Sequence, residues 1–559
     1  LTPFTFDVDP QQGPFDAEEF DMRRYGLDII HKWLIQPKMS LTSKIYASDF
    51  ERDWWKQATT IIRASDVLDY LGDNIFNDRY SYLSGLTFGD EDYVRVGRIT
   101  DGRESATDSQ WIFTVSGLQE TFNMDWKAGV EDYHLEVGVK LHQESYRDRL
   151  LSAPNSRWAR TGNPTSDQRY HLWSLSSYLR NEFNIRKFNI TPIVRFEHIE
   201  MYRQNLLAVA QDPDIQSPDE GRLNSKYDVV MPGFTIGYEI QGGEVYGSVY
   251  QGFIAPSKIF GFFVERNGVL TNPLEGENVN VTPELSLNTE LGWQGSLLDG
   301  RIDGQVALFR NTVRNFIAAG ENELFLEPGK VRIQGFEAGL GVSLLSRRSA
   351  HQLRFMLNAT ILGTEIVQGA LVDKDMFGPV VHSSATRQEF LDKVNTNRQA
   401  YDVCIRNNQG EEVPFDEATL TEADFAAISK TVVHYGKGNV EGARAPYVPD
   451  LNLSGGFSYN YKQFSAGISG SYVGDQHAEF MNFKSESADG AIGKLGSFYT
   501  VDCYFNHDFV IGNNMALNAF VNGKNITNEI YRASRLNRAA SGVFPGGFRQ
   551  FVIGVNLRI

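Results

Sequence analysis

The C-terminal segment from Phe548 to Ile559 alternates between apolar residues and residues that are mostly polar or small. Its apolar side chains recur at every second position from Phe551 onward, with Gly554 and Asn556 among the residues between them. Successive side chains of a β-strand point to opposite faces, so this period of two predicts a strand with one apolar face. The alternation returns about seventeen times along the chain, which indicates an all-β fold.

Short and long connections alternate along the chain between these predicted strands. Tight turns are expected near residues 36–37, 184–185, 242–243, 299–300, 347–348, 461–462 and 512–513, with a slightly longer one from Asn123 to Gly129. Long connections are expected at roughly 55–105, 150–166, 203–225, 255–285, 317–330, 365–447, 475–497 and 528–545. A short helix is expected within Thr421–Val433. This rhythm is typical of a transmembrane antiparallel β-barrel, with lipid outside and a polar interior.

A barrel wall also accounts for a hydropathy that resembles that of a soluble protein. Mean hydropathy is −0.33, and no run of about eighteen apolar residues predicts a transmembrane helix. Only half of each barrel strand faces lipid, so such strands do not raise the average hydropathy. Aromatic residues make up 12% of the chain, which suits girdles at both membrane interfaces.

Length, charge and cysteine content limit the number of domains and the kinds of partner and cross-link that are expected. No linker divides the 559 residues, so residues 1–559 are interpreted as one barrel domain. The net charge of −17 argues against a nucleic-acid partner. Cys404 lies in a long connection and Cys503 on a predicted strand, and no disulfide between them is expected. No signal peptide begins at Leu1, so the chain is expected to be a mature or truncated product.

Four short motifs follow one another along the chain. They are TPIVRFEHIE at Thr191–Glu200, TPE at Thr282–Glu284 with ELG at Glu290–Gly292, QGFE at Gln334–Glu337 and GKNITNEIY at Gly523–Tyr531. In this order and spacing the chain resembles the barrel of TonB-dependent outer-membrane transporters. Thr191–Glu200 and the ESADG sequence at Glu486–Gly490 are similar to the ferric citrate transporter branch of that family.

The resemblance implies a barrel of about 22 strands, closed by an N-terminal plug domain. Neither the plug nor a TonB-contacting segment is found in this chain, and Leu1 corresponds to a point after about five strands. Because bacterial single-chain barrels normally have an even number of strands, an odd number here predicts further strands before Leu1. The family commonly ends in Phe, whereas this chain ends in Ile559.

The resemblance also implies a function, namely import of a ferric chelate of the citrate type across the outer membrane of a Gram-negative bacterium. The chelate is cargo, and no cofactor is expected. The expected partners are membrane lipid and lipopolysaccharide, the chelate, and the TonB complex acting through a plug. The alternatives are another siderophore, a cobalamin or a glycan as cargo, a passive pore, or a structural barrel in a surface complex. No nucleophile–base constellation predicts an enzyme.

Guanidinium groups suit an anionic chelate, because their planar fork forms bidentate hydrogen bonds with carboxylates. By resemblance, Arg98, Arg103 and Arg160 match arginine-bearing stretches of the citrate transporters. Asn537 and Arg538 lie in the last long connection, where the family also places a polar ligand contact. We predict that these five residues bind the cargo. The alternative is that they are ordinary solvated loop residues.

Arg195, Glu197 and Glu290 fall on the lumen side of the predicted register. By resemblance such charges contact the plug, and the alternative is a lumen lined by solvated charges. The Asp-rich stretch 212–220 lacks the spacing and glycine of a calcium-binding loop, so an ordinary loop is expected there. The histidines are scattered, and no metal site is predicted.

Overall fold

A computed structural model describes most of the chain. The described residues are 3–11, 17–63, 69–70, 87–88, 91–100, 103–154, 156–211, 222–255, 264–266, 269–271, 282–316, 323–325, 329–346, 348–369, 371–373, 384–397, 401–406, 412–414, 419, 421, 431–435, 440–487, 490, 492–511, 515–535 and 542–558. Among them are three helices, α1 (Pro3–Val8), α2 (Leu206–Gln211) and α3 (Ser384–Thr396). None of the helices in this part of the chain is long and apolar enough to cross a membrane.

Seventeen strands form one sheet, in which each strand pairs antiparallel with the next in the chain. They are β1 (Glu19–Gln36), β2 (Met39–Gln57), β3 (Ala106–Ala128), β4 (Glu131–Ala153), β5 (Asn163–Ile185), β6 (Phe188–Asn205), β7 (Arg222–Ile240), β8 (Gly243–Ile254), β9 (Glu284–Leu297), β10 (Ile302–Phe316), β11 (Gly329–Ser343), β12 (His351–Gln368), β13 (Leu451–Tyr461), β14 (Phe464–Val473), β15 (Phe498–Ile511), β16 (Met515–Lys524) and β17 (Gln550–Arg558). The predicted all-β antiparallel architecture is confirmed. Within the described residues β1 and β17 do not pair with each other, and strands before Leu1 stay a prediction.

The connections alternate in length as the sequence predicts. Those that follow odd-numbered strands have two to seven residues, and those that follow even-numbered strands have nine to 82. Antiparallel pairing therefore gathers all short turns at one end, the turn side, and all long connections at the other, the loop side. The longer turn expected from Asn123 to Gly129 is wrong, because alternation continues through Trp126 and β3 ends only at Ala128. Gly129 then begins the turn with a φ of 67°.

Several long connections carry short strands of their own. These are Thr59–Arg63, Thr87–Phe88 and Glu91–Gly97 in one sheet, the pairs Ile99–Thr100 with Arg103–Glu104, Val264–Arg266 with Val269–Thr271 and Arg532–Arg535 with Val543–Pro545, and a sheet of Glu323–Phe325, Leu371–Asp373, Thr431–Tyr435, Tyr401–Arg406 and Glu412–Pro414. The helix expected within Thr421–Val433 is wrong at its C-terminal end, because Thr431 begins a strand. Residues 422–430 lie outside the described part. The helix of this connection is α3.

The strand register gathers apolar side chains on one face of the sheet. Residues that pair directly across strands share a face. Leu308 of β10 pairs with Phe336 of β11, and Phe336 pairs with Ile361 of β12. Leu308 is 58% exposed and Ile361 is 53% exposed, so this surface needs an apolar surrounding. We call it the apolar face and the opposite one the lumen face. The residues expected to face lipid all lie on the apolar face: Leu291, Trp293, Phe336, Leu340, Leu453, Phe457, Leu517, Val521, Phe551 and Ile553.

Several strands are longer than a membrane requires. β3, β4 and β5 each have 23 residues, whereas a tilted strand crosses a bilayer in about 9–11. At their loop-side ends even the apolar face becomes polar. Arg147 of β4 donates hydrogen bonds of 2.8 and 2.6 Å to both carboxylate oxygens of Asp167 on β5. These ends therefore stand outside the hydrocarbon on the loop side.

On the loop side, α3 packs onto the β14–β15 connection. Phe390, Leu391 and Val394 lie at helical spacing on one side of α3 and are almost fully buried. Met481 and Phe483 of the β14–β15 connection are buried as well, and the Lys393 ammonium of α3 lies 5.6 Å from the ring centroid of Phe483. We call this assembly of α3 with the described residues of the β14–β15 connection, 474–487, 490 and 492–497, the loop clasp. It joins two connections that are widely separated in sequence.

Hydrogen bonds fix the orientation of α3 in the loop clasp. The Glu389 carboxylate accepts the backbone N–H groups of Lys484 at 2.9 Å and Ser485 at 2.8 Å. Thr386 donates its hydroxyl to the carbonyl of Glu486 at 3.1 Å. A carboxylate that accepts two backbone N–H groups forms stronger bonds than a neutral acceptor would. The clasp is therefore held by both apolar burial and directed polar contacts.

Arg535 connects the loop clasp to the last long connection. Its buried guanidinium donates to the carbonyl of Gly490 at 2.8 Å and to the Glu486 carboxylate at 2.5 Å. Arg532 forms a second ion pair with Glu486 at 3.2 Å. The Glu486–Gly490 motif thus has a structural role here, because its first and last residues hold an arginine from another connection.

Glu479 is the most deeply buried carboxyl group of the loop clasp. One of its oxygens accepts the N–H of Phe483 at 2.6 Å. The other is buried and has no hydrogen-bond partner within the described residues. Burial raises the pKa of Glu479 to about 7 from an ordinary value of 4.5, because desolvation disfavours the charged form.

Replacing Glu479 tests this burial. At pH values between the ordinary pKa of Glu479 and its raised pKa, the folded clasp keeps this carboxyl protonated, whereas the unfolded segment has released the proton. The free energy of unfolding of the clasp therefore falls as pH rises. We expect the clasp of the native protein to lose about 3 kcal/mol between about pH 4 and pH 8. Glu479→Gln should remove this loss and keep the bond to Phe483. The pH dependence of clasp stability is measured by hydrogen exchange of the Phe483 and Ser485 amides, corrected for intrinsic rates.

The exposed Asp392→Asn on α3 is the matched control, and it should leave the pH dependence unchanged. An equal loss of protection with rising pH in Glu479→Gln and in the native protein would contradict the role assigned to Glu479.

The apolar face can be tested in the middle of β9. Leu291→Arg places a charge in lipid and should cost roughly 2–4 kcal/mol of unfolding free energy. Gln294→Arg on the lumen face of the same strand is the control and should cost less than about 1 kcal/mol, since that face is polar. Denaturant titration of the protein refolded into lipid vesicles measures both. Equal costs would contradict the assignment of the two faces, and a larger cost for Gln294→Arg would reverse it.

Candidate functional site

Aromatic rings surround Arg52 on the lumen face of β2, close to the loop side. The guanidinium carbon lies 3.4 Å from the ring centroid of Trp111 and 5.6 Å from that of Trp54. The ring of Phe20 lies 5.8 Å away on its other side. The register produces this cluster, because Arg52 pairs with Trp111 across β2 and β3, and Phe20 pairs with Trp54 across β1 and β2. Cation–π attraction holds the guanidinium against the rings.

The aromatic row continues across the next two strands. Trp111 contacts Tyr146 edge to face with centroids 5.8 Å apart, and Tyr146 stacks on Tyr170 at 5.7 Å. Phe113 lies 6.0 Å from Tyr146. The indole N–H of Trp111 donates to the Asp148 carboxylate at 3.0 Å, which fixes the ring plane. We call this surface the aromatic wall; it consists of Phe20, Arg52, Trp54, Trp111, Phe113, Tyr146 and Tyr170.

The aromatic wall offers two kinds of contact to a ligand from the loop side. The rings provide apolar faces for stacking, and Arg52 provides a planar cation. The Nε atom of Arg52 is buried and has no hydrogen-bond partner within the described residues. Its terminal nitrogen Nη2 donates to the Ser109 hydroxyl at 3.3 Å. Ser109 and the surrounding rings thus hold Arg52 in place as a planar cation.

Three of the predicted ligand-binding arginines lie outside this wall: Arg98 and Arg103 in the β2–β3 connection and Arg160 in the β4–β5 connection. Arg98 and Arg103 are exposed, and the backbone N–H of Ser105 bonds the carbonyl of Arg98 at 3.1 Å. Arg157, which the sequence did not single out, links this region to the β4–β5 connection through a 2.9 Å ion pair with Glu104. Cargo binding by Arg98 and Arg103 stays a prediction.

Arg160, in the β4–β5 connection, already has a protein partner. Its guanidinium forms an ion pair with Glu19 at the start of β1. It also donates to the carbonyl of Ala17 at 3.2 Å. This contact ties the start of β1 to the β4–β5 connection, a role that no pattern in the sequence indicated. A ligand that uses Arg160 would have to share it with Glu19. Asn537 and Arg538 lie outside the described residues.

The predicted plug-facing residues all lie on the lumen face, in ordered hydrogen bonds. Arg195 donates to Glu197 at 2.5 Å, and the buried carboxylate of Glu197 also accepts the hydroxyl of Ser176. Glu290 accepts the hydroxyl of Tyr246 at 2.5 Å. Contact of these charges with a plug stays a prediction.

A glycine under the ring positions Tyr246. A Cβ added to Gly292, which pairs with Tyr246, would lie 2.6 Å from the ring. Only a residue without a side chain lets the ring lie flat along the wall and reach Glu290. Tyr178 lies on Gly138 in the same way. The lumen face thus presents carboxylates whose orientation is set by tyrosines lying on glycines.

Metal ligands do not cluster in the described part of the chain: no group of three or more His, Cys, Asp or Glu residues there could hold a metal ion. The whole Asp-rich stretch 212–220 lies outside the described residues.

Comparison with known proteins agrees with this architecture. The family model "TonB dependent receptor-like, beta-barrel" matches residues 9–526. The ferric citrate transporter FecA, solved in its unliganded form, shares 16% identity with a TM-score of 0.66, covering all of this chain and 64% of FecA. The ferric-catecholate import receptor Fiu from E. coli K12, in its closed form, shares 13% identity with a TM-score of 0.60, covering 97% and 65%.

The siderophore receptor PiuA from Acinetobacter baumannii shares 12% identity with a TM-score of 0.57, and 97% of this chain covers 64% of PiuA. The chain therefore spans less than two thirds of these structures, and at such identities the likeness shows the fold. The family resemblance predicted from the motifs is confirmed. Since the family model matches nearly the whole sequence, this chain belongs to the TonB-dependent receptor-like β-barrel family.

Proposed function

We propose that this chain forms the barrel of an outer-membrane receptor that binds an anionic ferric chelate of the citrate type and imports it with energy from TonB. The position of Arg52 in the aromatic wall is the observation that carries the proposal. This planar cation lies on the lumen face at the loop side, where cargo from outside first meets the wall. The likeness of Thr191–Glu200 and Glu486–Gly490 to the citrate branch supports the choice of cargo.

Binding and movement, rather than bond chemistry, make up the proposed mechanism. The loops and the aromatic wall hold the chelate through charge-assisted hydrogen bonds and ring contacts, which are strengthened where water is excluded. A barrel this wide needs a plug, because side chains cannot fill its lumen. The lumen carboxylates Glu197 and Glu290 and the cation Arg195 would contact that plug, and TonB would move it with the proton-motive force.

A chelate with aromatic arms is the second candidate cargo. The row of Trp111, Tyr146 and Tyr170 favours it, since aromatic faces stack on planar rings and contribute little to binding of an aliphatic carboxylate. Citrate requires only the guanidinium groups. The two candidates therefore differ in how strongly binding depends on the rings.

The arginines can be tested by titrating the purified receptor with ferric citrate. A charged hydrogen bond contributes about 1.5–3 kcal/mol, so Arg160→Ala should weaken binding by about tenfold or more. Arg160→Lys should restore binding only in part, because lysine lacks the planar fork. The triple variant with alanine at Arg98, Arg103 and Arg160 should bind more weakly still.

The matched control for Arg160 is Glu19→Gln, which removes its ion-pair partner but leaves the guanidinium. Binding should then be unchanged or tighter. If Glu19→Gln weakens ferric citrate binding as much as Arg160→Ala does, Arg160 acts through the fold and not on the cargo. An unchanged affinity in the triple variant would remove this site.

The aromatic wall can be tested with two chelates. Trp111→Leu should weaken binding of a ferric catecholate complex by about tenfold, as the loss of ring contacts worth roughly 1–2 kcal/mol implies. Ferric citrate should lose no more than about threefold. Tyr146→Phe keeps the ring and is the control. Equal effects of Trp111→Leu on both chelates would show that the rings do not select the cargo.

A further inference from the structure

Arginines cluster on one surface of the sheet at the loop-side ends of β4, β5 and β7. Arg147 of β4 pairs directly with Arg169 of β5, and the same row continues through Gln204 of β6 to Arg222 of β7. Arg149 lies two residues beyond Arg147, on the same face of β4. We call Arg147, Arg149, Arg169 and Arg222 the arginine patch. Each of its strands pairs with a neighbour on both sides, so the patch lies in the interior of the sheet.

The arginine patch points away from the lumen. Tyr146 and Tyr170, which adjoin Arg147 and Arg169 in the sequence, belong to the aromatic wall on the lumen face. Because successive side chains of a strand point to opposite faces, both arginines lie on the outer surface of the barrel wall.

The arginine patch stands beyond the apolar part of that surface. Arg147 lies six residues from Leu141 on β4, and Arg169 lies six residues from Leu175 on β5. Leu141 and Leu175 pair with each other, and Leu141 is 40% exposed, as an apolar side chain facing lipid would be. Six residues of strand span about 20 Å. At a tilt of about 45° the arginines are therefore roughly 14 Å further from the membrane centre than the leucines.

One carboxylate serves two arginines of the patch. Asp167 accepts both hydrogen bonds of Arg147 and also lies 3.5 Å from the Nε atom of Arg149. Arg149 donates a further hydrogen bond of 2.8 Å to the side-chain oxygen of Gln110. Asp167 is buried between its partners, so it fixes the directions in which the two guanidinium groups point.

The other two arginines add positive charge without a matching carboxylate in the row. Arg169 is exposed and has no ion-pair partner within the described part of the chain. The guanidinium carbon of Arg222 lies 4.3 Å from the ring centroid of Tyr202. Like charges directly opposite each other destabilise a strand pair, yet Arg147 faces Arg169. An anion that binds both groups would remove this repulsion.

The carboxylates nearer the apolar part of this surface have partners of their own. Glu200 of β6 lies 3.4 Å from the Lys226 ammonium of β7. Asp228 of β7 lies 2.7 Å from the Nδ1 atom of His198. They are four residues from Gln204 and six residues from Arg222, respectively, along their strands. The arginine patch is thus a local excess of positive charge on a chain whose net charge is −17.

We propose that the arginine patch binds the phosphate groups of lipopolysaccharide in the outer leaflet of the outer membrane. The planar fork of a guanidinium binds phosphate through two hydrogen bonds. The phosphate-bearing sugars of this lipid lie just outside the hydrocarbon, on the side to which the patch belongs. Its acyl chains would lie along Leu141 and Leu175. The inference rests on the outer-membrane location in the proposed function and does not depend on the cargo.

A titration of the full-length receptor with purified lipopolysaccharide tests the patch. The receptor is freed of bound lipid in detergent, and native mass spectrometry measures the bound fraction. Arg169→Gln combined with Arg222→Gln should weaken binding by about tenfold or more, as the loss of charged hydrogen bonds implies. Arg169→Lys should weaken it less than Arg169→Gln, because lysine keeps the charge but lacks the fork. Binding by the double variant that equals that of the native receptor would overturn the proposal.

Folding of the double variant is checked by its thermal unfolding. The single variant Arg169→Gln changes only an exposed side chain without an ion-pair partner, so it should fold as the native receptor does. It should still weaken lipopolysaccharide binding by about threefold or more. Unchanged binding in this folded variant would also contradict the proposal.

Arg310→Gln is the matched control. Arg310 is exposed on the outer surface of β10, two residues from Leu308, and pairs directly with the uncharged residues Thr289 and Gln334. Its loss should change lipopolysaccharide binding by less than about twofold. A loss as large as that of Arg169→Gln would show that the lipid responds to positive charge anywhere on the wall, and the patch would not be a site.

Lipopolysaccharide stripped of its phosphates separates the charges from the acyl chains. The native receptor should bind this form about tenfold more weakly, and the double variant should bind both forms equally. Equal binding of the two forms by the native receptor would contradict a phosphate site. Ferric citrate binding should be the same in the double variant and the native receptor. No cargo is present in the lipid titrations, so a wrong cargo would leave their results unchanged.

Discussion

Backbone hydrogen bonding in hydrocarbon is the constraint on which the rest of this structure depends. No water is present in the bilayer core to bond exposed N–H and C=O groups, so each strand needs neighbours along its length. In the described part of the chain, sixteen antiparallel pairings join strands that follow one another in sequence and meet this requirement between them. Pairing fixes the register, and the register sends alternate residues to lipid and to the lumen.

The lumen face inherits its order from the same register. Because directly opposite residues share a face, a carboxylate such as Glu290, a ring such as Tyr246 and a glycine such as Gly292 come together with no further element to position them. Arg52 meets Trp111 for the same reason. A site built on paired strands is held more precisely than one built on loops, which is why the aromatic wall is the best-defined feature of the candidate site.

The loop side follows different rules. There the backbone is free of the membrane, and long connections can fold back on one another. The loop clasp does so with a small apolar core around Phe483 and with directed bonds from Glu389. Arg535 extends the clasp to the last connection.

The sequence by itself determined the strands, their faces and the alternation of short and long connections. A period of two is a local property, and it shows in every strand whatever the strand pairs with. The family motifs were equally visible. The ends of β3 and the position of α3 were missed, because the limits of an element depend on its neighbours as well as on its own pattern.

Only the tertiary structure decided which side chains meet. Arg160 finds Glu19 more than a hundred residues away, and Glu389 finds Lys484 across two strands and a long connection. The rings of the aromatic wall come from five strands and form one surface only once the register is fixed. Such contacts leave no periodic trace in the sequence, because they depend on how far each strand has shifted against the next.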